Sequence, residues 1–250
     1  MKCDIEQDQM PLILNSLKTC ENIKFLNLSE NLVKGYCESL TETLKVLKQI
    51  EVIGLNNCQI GLQGIVDILQ VLKDKTCLKE LYLAGNEIGD DGIKEIKNQF
   101  SSKFRGLKAL NLVNNKITEK SVVFLYFFLK TKPELQYLRL GHNKLKALGV
   151  EWVLKAFSGQ GKLNDFDVGN NEIGDEGSKC IEKFLMKYPN LLYLNVMKNE
   201  ISEERIVSIL NILKKQSTPC KINVFGNNAK DENIQKYFTA QISSTSSSKK

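Results

Sequence analysis

Leu78-Lys79-Glu80-Leu81-Tyr82-Leu83-Ala84-Gly85-Asn86-Glu87-Ile88 has the frame L-x-x-L-x-L-x-x-N-x-L. The frame returns at Leu107 to Ile117, Leu135 to Leu145, Leu163 to Ile173 and Leu191 to Ile201. Two copies precede it, Ile23 to Val33 and Ile50 to Ile60, and a degenerate last copy uses Ile222, Val224 and Asn227. The position of Asn86 is held at Asn31, Cys58, Asn86, Asn115, Asn143, Asn171, Asn199 and Asn227, eight rungs about 28 residues apart. A period of that length marks a stacked array in which each unit buries its apolar side only against its neighbours.

The chemistry of the frame dictates a path. Leucine-type residues two apart point to one side of a short strand and bury it, which leaves the residues between them on an open sheet face. The asparagine then bonds backbone groups as the chain leaves the strand, and stacking turns the eight rungs into a buried ladder. Cys58 is a small group that can be buried in one rung. Each copy returns through a helix whose inward positions are apolar at helical spacing: Ile65, Ile68 and Leu72; Ile93, Ile96 and Phe100; Val150, Val153 and Phe157; Ile206, Ile209 and Leu213. Glycines and acids, as in Gly89-Asp90-Asp91-Gly92 and Gly174-Asp175-Glu176-Gly177, suit the turn into each helix. The expected fold is therefore an α/β solenoid of about eight repeats, a curved right-handed superhelix with parallel strands on its concave face and helices on its convex face.

The repeats are expected over 23–230, with 1–22 as an N-terminal capping helix that uses Ile5, Leu12, Leu14 and Leu17. A C-terminal cap is expected over 231–242 through Ile234, Tyr237 and Phe238, followed by a disordered serine- and lysine-rich tail over 243–250. The charged start, Met1-Lys2-Cys3-Asp4-Ile5-Glu6, is not that of a signal peptide, and no stretch approaches the roughly 18 apolar residues of a membrane span. Seven scattered cysteines with no C-x-x-C pair favour free thiols in a reducing compartment. A soluble cytoplasmic protein is expected, and a net charge of +6 adds only a mild bias toward acidic partners.

The repeat frame together with N-x-I-G-D-x-G, at Asn86 to Gly92 and Asn171 to Gly177, resembles the ribonuclease-inhibitor-like subfamily of leucine-rich repeats. The resemblance spans residues 23 to 229. That group includes ribonuclease inhibitors, the Ran GTPase-activating protein, tropomodulin-like actin cappers, immune-receptor sensor domains and axonemal scaffold subunits, and what the resemblance implies across them is protein recognition. Vertebrate-type ribonuclease inhibitors alternate Asn and Cys along the ladder and are acidic and rich in cysteine; this chain has one ladder cysteine and a positive charge. The Ran activator has a long acidic tail where this chain has serines and two lysines. The reading is a non-catalytic interaction module, an adaptor or scaffold subunit of a larger cytoskeletal or ciliary assembly. Its alternatives are a small-GTPase regulator resembling the Ran activator and an enzyme inhibitor.

The strand frame lets the open face be written as rows. One runs Phe25, Val52, Glu80, Ala109, Tyr137, Asp165, Tyr193, Lys221; the next runs Asn27, Gly54, Tyr82, Asn111, Arg139, Asp167, Asn195, Asn223; a third ends in Met197 and Phe225. Tyr82, Tyr137, Arg139, Asp165, Asp167, Tyr193, Asn195, Met197 and Phe225 form the expected partner-binding patch, because aromatic side chains and arginine dominate interface energetics. The plainer reading is that Arg139 and Asp167 pair side by side and the tyrosines merely suit exposed strand positions. A second candidate lies in the helix Ser121 to Leu129, where Val123 and Phe127 take outward positions that carry Lys94 and Asn98, or Glu151 and Lys155, in the neighbouring helices. Its plainer reading is packing between helices, Phe124 against Trp152.

Catalytic chemistry finds few groups. His142 is the one histidine, so neither a metal cluster nor a histidine pair can be assembled around it. Asp165 and Asp167 share a face but are expected on an open sheet without the enclosure that tunes a catalytic acid. Gly89-Asp90-Asp91-Gly92 lacks the lysine of a phosphate-binding loop. No cofactor or metal is expected, and a small-molecule substrate is not indicated. The basic residues Lys103, Arg105, Lys108, Lys116 and Lys120 are interrupted by Glu119 and have no aromatic platform beside them, which points away from nucleic acid.

Overall fold

The computed structural model describes residues 5, 9–100, 102–159 and 162–230. Eight three-residue strands form one parallel sheet in sequence order: β1 Phe25–Asn27, β2 Val52–Gly54, β3 Glu80–Tyr82, β4 Ala109–Asn111, β5 Tyr137–Arg139, β6 Asp165–Asp167, β7 Tyr193–Asn195 and β8 Lys221–Asn223. The helices are α1 Gln9–Leu17, α2 Cys37–Val46, α3 Gly61–Leu72, α4 Gly89–Phe100, α5 Val122–Leu129, α6 Lys146–Ala156, α7 Gly174–Lys187 and α8 Glu203–Lys214. Each of α1 to α7 packs on the next, so strands and helices make two opposite surfaces. Strands stack about 4.8 Å apart and helices about 8 to 10 Å apart, so the array must bend toward its strands. The fold is the α/β leucine-rich-repeat solenoid that the period implies.

Register follows the rows. Phe25, Val52, Glu80, Ala109, Tyr137, Asp165, Tyr193 and Lys221 pair in succession, and so do Asn27, Gly54, Tyr82, Asn111, Arg139, Asp167, Asn195 and Asn223. Behind them, the central strand residues Leu26, Ile53, Leu81, Leu110, Leu138, Phe166 and Leu194 are buried with the inward helix residues in one continuous core. The ladder closes the strand-to-helix edge. Asn143 Nδ2 donates to the carbonyls of Leu112 (3.0 Å) and Leu140 (2.9 Å), while its Oδ1 accepts from the amides of Asn115 and Ile117, both at 3.0 Å. Asn86 and Asn227 repeat the pattern. Each rung thus ties together backbone of two repeats that would otherwise be buried without partners. Cys58 only donates, to the carbonyls of Leu28 (3.2 Å) and Asn56 (3.4 Å), and burial pushes its thiol up to about 11.

At the amino end, α1 lies on α2 with Met10 and Leu14 buried, and Thr43 Oγ1 donates to the Leu14 carbonyl at 2.9 Å. Leu12, expected in the apolar stripe, is 70 % exposed. Two residues along a helix is a rotation of about 200°, so once Met10 and Leu14 face the core Leu12 must face away. The C-terminal cap and tail expected over 231–242 and 243–250 lie outside the described residues. Among the described residues no helix is long and apolar enough to cross a membrane. One cation interrupts the core. Lys132, just after α5, is fully buried, with Nζ 4.1 Å from the centre of the Phe128 ring and 2.6 Å from Thr131 Oγ1. Burial, followed by the nearby Arg105 charge, pulls its ammonium down to about 7.

Candidate recognition surface on the sheet face

The predicted patch is held by β3 to β8, whose alternation turns every first and third strand residue away from the leucine core. Its centre is a hollow of about 160 Å³ lined by Tyr82, Ala109, Leu110, Asn111, Tyr137 and Arg139. The hollow exists because the short Ala109 side chain sits between two tyrosine-bearing rungs in the stacked register. Tyr137 is 46 % exposed beside it, and Tyr82 is half-buried with its hydroxyl donating to Glu80 Oε2 at 2.6 Å. Burial and then that carboxylate push the Tyr82 phenol up to about 12, so it remains a neutral donor.

Next along the sheet is a charged group. Arg139 Nη2 donates to Asp165 Oδ2 at 3.2 Å. The plainer reading had Arg139 paired with Asp167, its direct neighbour in register; the guanidinium instead bonds the carboxylate one column over. Asp167 is already engaged, its Oδ1 accepting the Gly169 amide at 2.9 Å. Its carboxyl is held above the ordinary range, first by burial and also by Asp165. Burial, then Asp167 and Asp165, likewise push the Tyr193 phenol up. Asp165 Oδ1 is buried and makes no hydrogen bond among the described residues.

The face is less open than its rows imply. Asp165 and Asn195, expected to be exposed, are buried. For Asn195 the cause lies in the following column. A methyl group at Gly141 would come within 3.1 Å of Asp167 Oδ1, and one at Gly169 within 2.9 Å of Met197 Cγ and 3.0 Å of Asn195 Nδ2. The missing side chains leave room that Asp167, Asn195 and Met197 fill. The column of Asp167 has a further duty. Asn27, Asn111, Asp167, Asn195 and Asn223, all third strand residues, each accept the amide two residues on at 2.9 to 3.2 Å. These are local turns that asparagine and aspartate supply as the chain leaves a strand. Tyr82 and Arg139 replace that device in two rungs, so their side chains are given to the face. The repeated Asn in that column was the legible signal. Met197 is partly buried and takes a 3.5 Å bond from Asn223 Nδ2, while Phe225 is 58 % exposed at the end of the sheet, apart from the hollow.

Val123 and Phe127 are 40 % and 47 % exposed on the helical side. Trp152 meets the ring of Tyr126, edge to face at 5.2 Å, in place of the expected Phe124. His142 sits at a left-handed turn, φ 55°, with Nδ1 3.0 Å from Asn170 Nδ2. No cluster of three or more metal-ligating side chains occurs among the described residues.

A repeating strand and helix, an asparagine ladder and a side-chain-rich sheet face define a leucine-rich-repeat solenoid. The chain is similar to leucine-rich-repeat proteins of the ribonuclease-inhibitor-like type: the Leucine Rich repeat family model matches residues 74–97 and 162–181. Ribonuclease inhibitor of Sus scrofa is 32 % identical over 120 residues, 46 % of this chain and 26 % of the inhibitor. NACHT, LRR and PYD domains-containing protein 5 of Mus musculus is 32 % identical over 133 residues, 52 % of this chain and 11 % of that protein. The matched stretches thus span about a quarter or less of these relatives' length. Among solved structures, an internalin from Listeria monocytogenes aligns at 16 % identity with a TM-score of 0.45, covering 86 % of this chain and 65 % of that one.

Proposed function

We propose that this protein is a non-catalytic recognition module that binds another protein through the sheet face, with the hollow bounded by Tyr82, Ala109, Tyr137 and Arg139 receiving a partner side chain, and that it serves as an adaptor or scaffold subunit in the cytoplasm. The observation that carries the reading is that hollow: a concavity beside an exposed tyrosine and an arginine, where two rungs depart from the asparagine turn device. Interfaces concentrate their energy in such aromatic and arginine anchors. Similarity to a ribonuclease inhibitor, a protein named for its action on another protein, supports the same reading. Asp165, Asp167, Tyr193 and Asn195 form the polar flank, and Met197 and Phe225 extend the surface toward the last strand.

The test compares the wild-type protein with a Tyr137→Ala, Arg139→Ala double variant in affinity capture from native lysate. A stoichiometric partner should be lost from a variant whose melting curve is little changed. A partner held equally by the folded variant would overturn the sheet-face reading.

A further inference from the structure

Position-by-position comparison of the repeats isolates a second surface. Twelve residues after the six rungs from Cys58 to Asn199, the exposed helix position carries Gln70, Asn98, Phe127, Lys155, Lys183 and Asn211 in successive repeats. Five residues after the rung it carries Gln63, Asp91, Lys120, Leu148, Glu176 and Glu204. Each set has one apolar member, and the two fall on the adjacent helices α5 and α6. Nine residues after the rung the pattern is Asp67, Glu95, Phe124, Trp152, Cys180 and Ser208, with aromatic rings on the same two helices. Phe127 and Leu148 are 47 % and 48 % exposed, so much of each side chain is open to solvent. Tyr126 joins the two helices, edge to face with both Phe127 on α5 (5.1 Å) and Trp152 on α6 (5.2 Å).

The rim of this apolar surface is basic. Lys155 Nζ lies 4.6 Å from the centre of the Trp152 ring and Lys130 Nζ 5.6 Å from that of Tyr126, and Lys120 is exposed at the head of α5. Glu119, beside Lys120 at the head of α5, is paired with Lys146 at 2.9 Å. Two parallel helices with outward apolar pairs four residues apart, Val123 with Phe127 and Leu148 with Trp152, form a shallow ridged face whose period matches the apolar stripe of a third helix. We propose that the convex face of α5 and α6 docks an amphipathic helix of a partner protein, with apolar residues on one face and acidic residues along its edges. This site is separate from the sheet face.

The probe is a displayed library of random 16-residue peptides panned on the full chain. Enriched peptides are then titrated by fluorescence anisotropy against wild type, against a Phe127→Lys, Leu148→Glu double variant, and against Tyr137→Ala. Lys and Glu are what neighbouring repeats carry at those positions, so a folded variant is expected, checked by its melting curve. The expected result is a set of acidic peptides with apolar residues at i, i+3 or i+4, and i+7 that weaken with salt. They should lose roughly tenfold or more in affinity on the double variant and bind Tyr137→Ala unchanged. Peptides that are neutral or basic, or indifferent to the double variant, overturn the proposal. So does sedimentation showing a dimer of this chain that the double variant dissociates, which would assign the face to a second copy.

Discussion

The asparagine ladder and the sheet face are carried by the same strands, a few residues apart in each repeat, yet they obey opposite rules. Each ladder asparagine from Asn86 to Asn227 bonds backbone of its own repeat and of its neighbour, and the residue type scarcely varies from rung to rung. On the face, Phe25, Val52, Glu80, Ala109, Tyr137, Asp165, Tyr193 and Lys221 share one row with no common chemistry. A group that satisfies buried backbone cannot be replaced without leaving amides and carbonyls stranded. A group that faces solvent has no such duty and is free to encode a partner.

The contrast can be broken most sharply at β5, where neighbours in sequence point to opposite sides. Leu138→Ala should cost about 2 to 5 kcal/mol of stability, and Tyr137→Ala about 0.5 kcal/mol or less. Chemical denaturation of both reads this directly, and equal costs would mean that the two sides of the strand are not the core and the face. The ladder comes next. Asn143→Ala strands the amides of Asn115 and Ile117, and at about 1 to 3 kcal/mol for each such group the loss should reach about 2 to 6 kcal/mol. The same change at Cys58, whose thiol only donates, should cost nearer about 1 kcal/mol. Equal losses at the two rungs would show that the ladder works by packing rather than by hydrogen bonding.

The smallest effect concerns pH. The carboxyl of Asp167 titrates above its unfolded value, so between 3.8 and that raised value the folded chain binds more protons than the unfolded one. Its ionisation therefore costs stability at neutral pH, and the cost disappears as the pH falls through this window. Asp167→Asn, which keeps an acceptor for the Gly169 amide, should stabilise the protein at pH 7 by about 1 kcal/mol or less, with the advantage fading toward acid. A variant less stable than wild type at neutral pH would instead place Asp167 among the structural groups, with the ladder.

Much of this architecture was legible because a repeat states its instructions eight times. The 28-residue period and the identity of each rung locate strands, register and inward leucines without a coordinate, since period-2 and period-3.6 alternation leave one arrangement that buries every apolar position. The outward places of Tyr137, Arg139, Val123 and Phe127 follow from the same count. What the count leaves open is how side chains on one surface meet. That Arg139 turns to Asp165, that Gly141 and Gly169 admit Asp167, Asn195 and Met197, that Ala109 opens a hollow between tyrosine rungs, and that Tyr126 rather than Phe124 reaches Trp152 all depend on distances across repeats. Alternation assigns a residue to a surface. Only the packing of neighbouring rungs decides whether that residue is covered, paired or left open, because those outcomes are set by the sizes and bonds of side chains about 28 positions away.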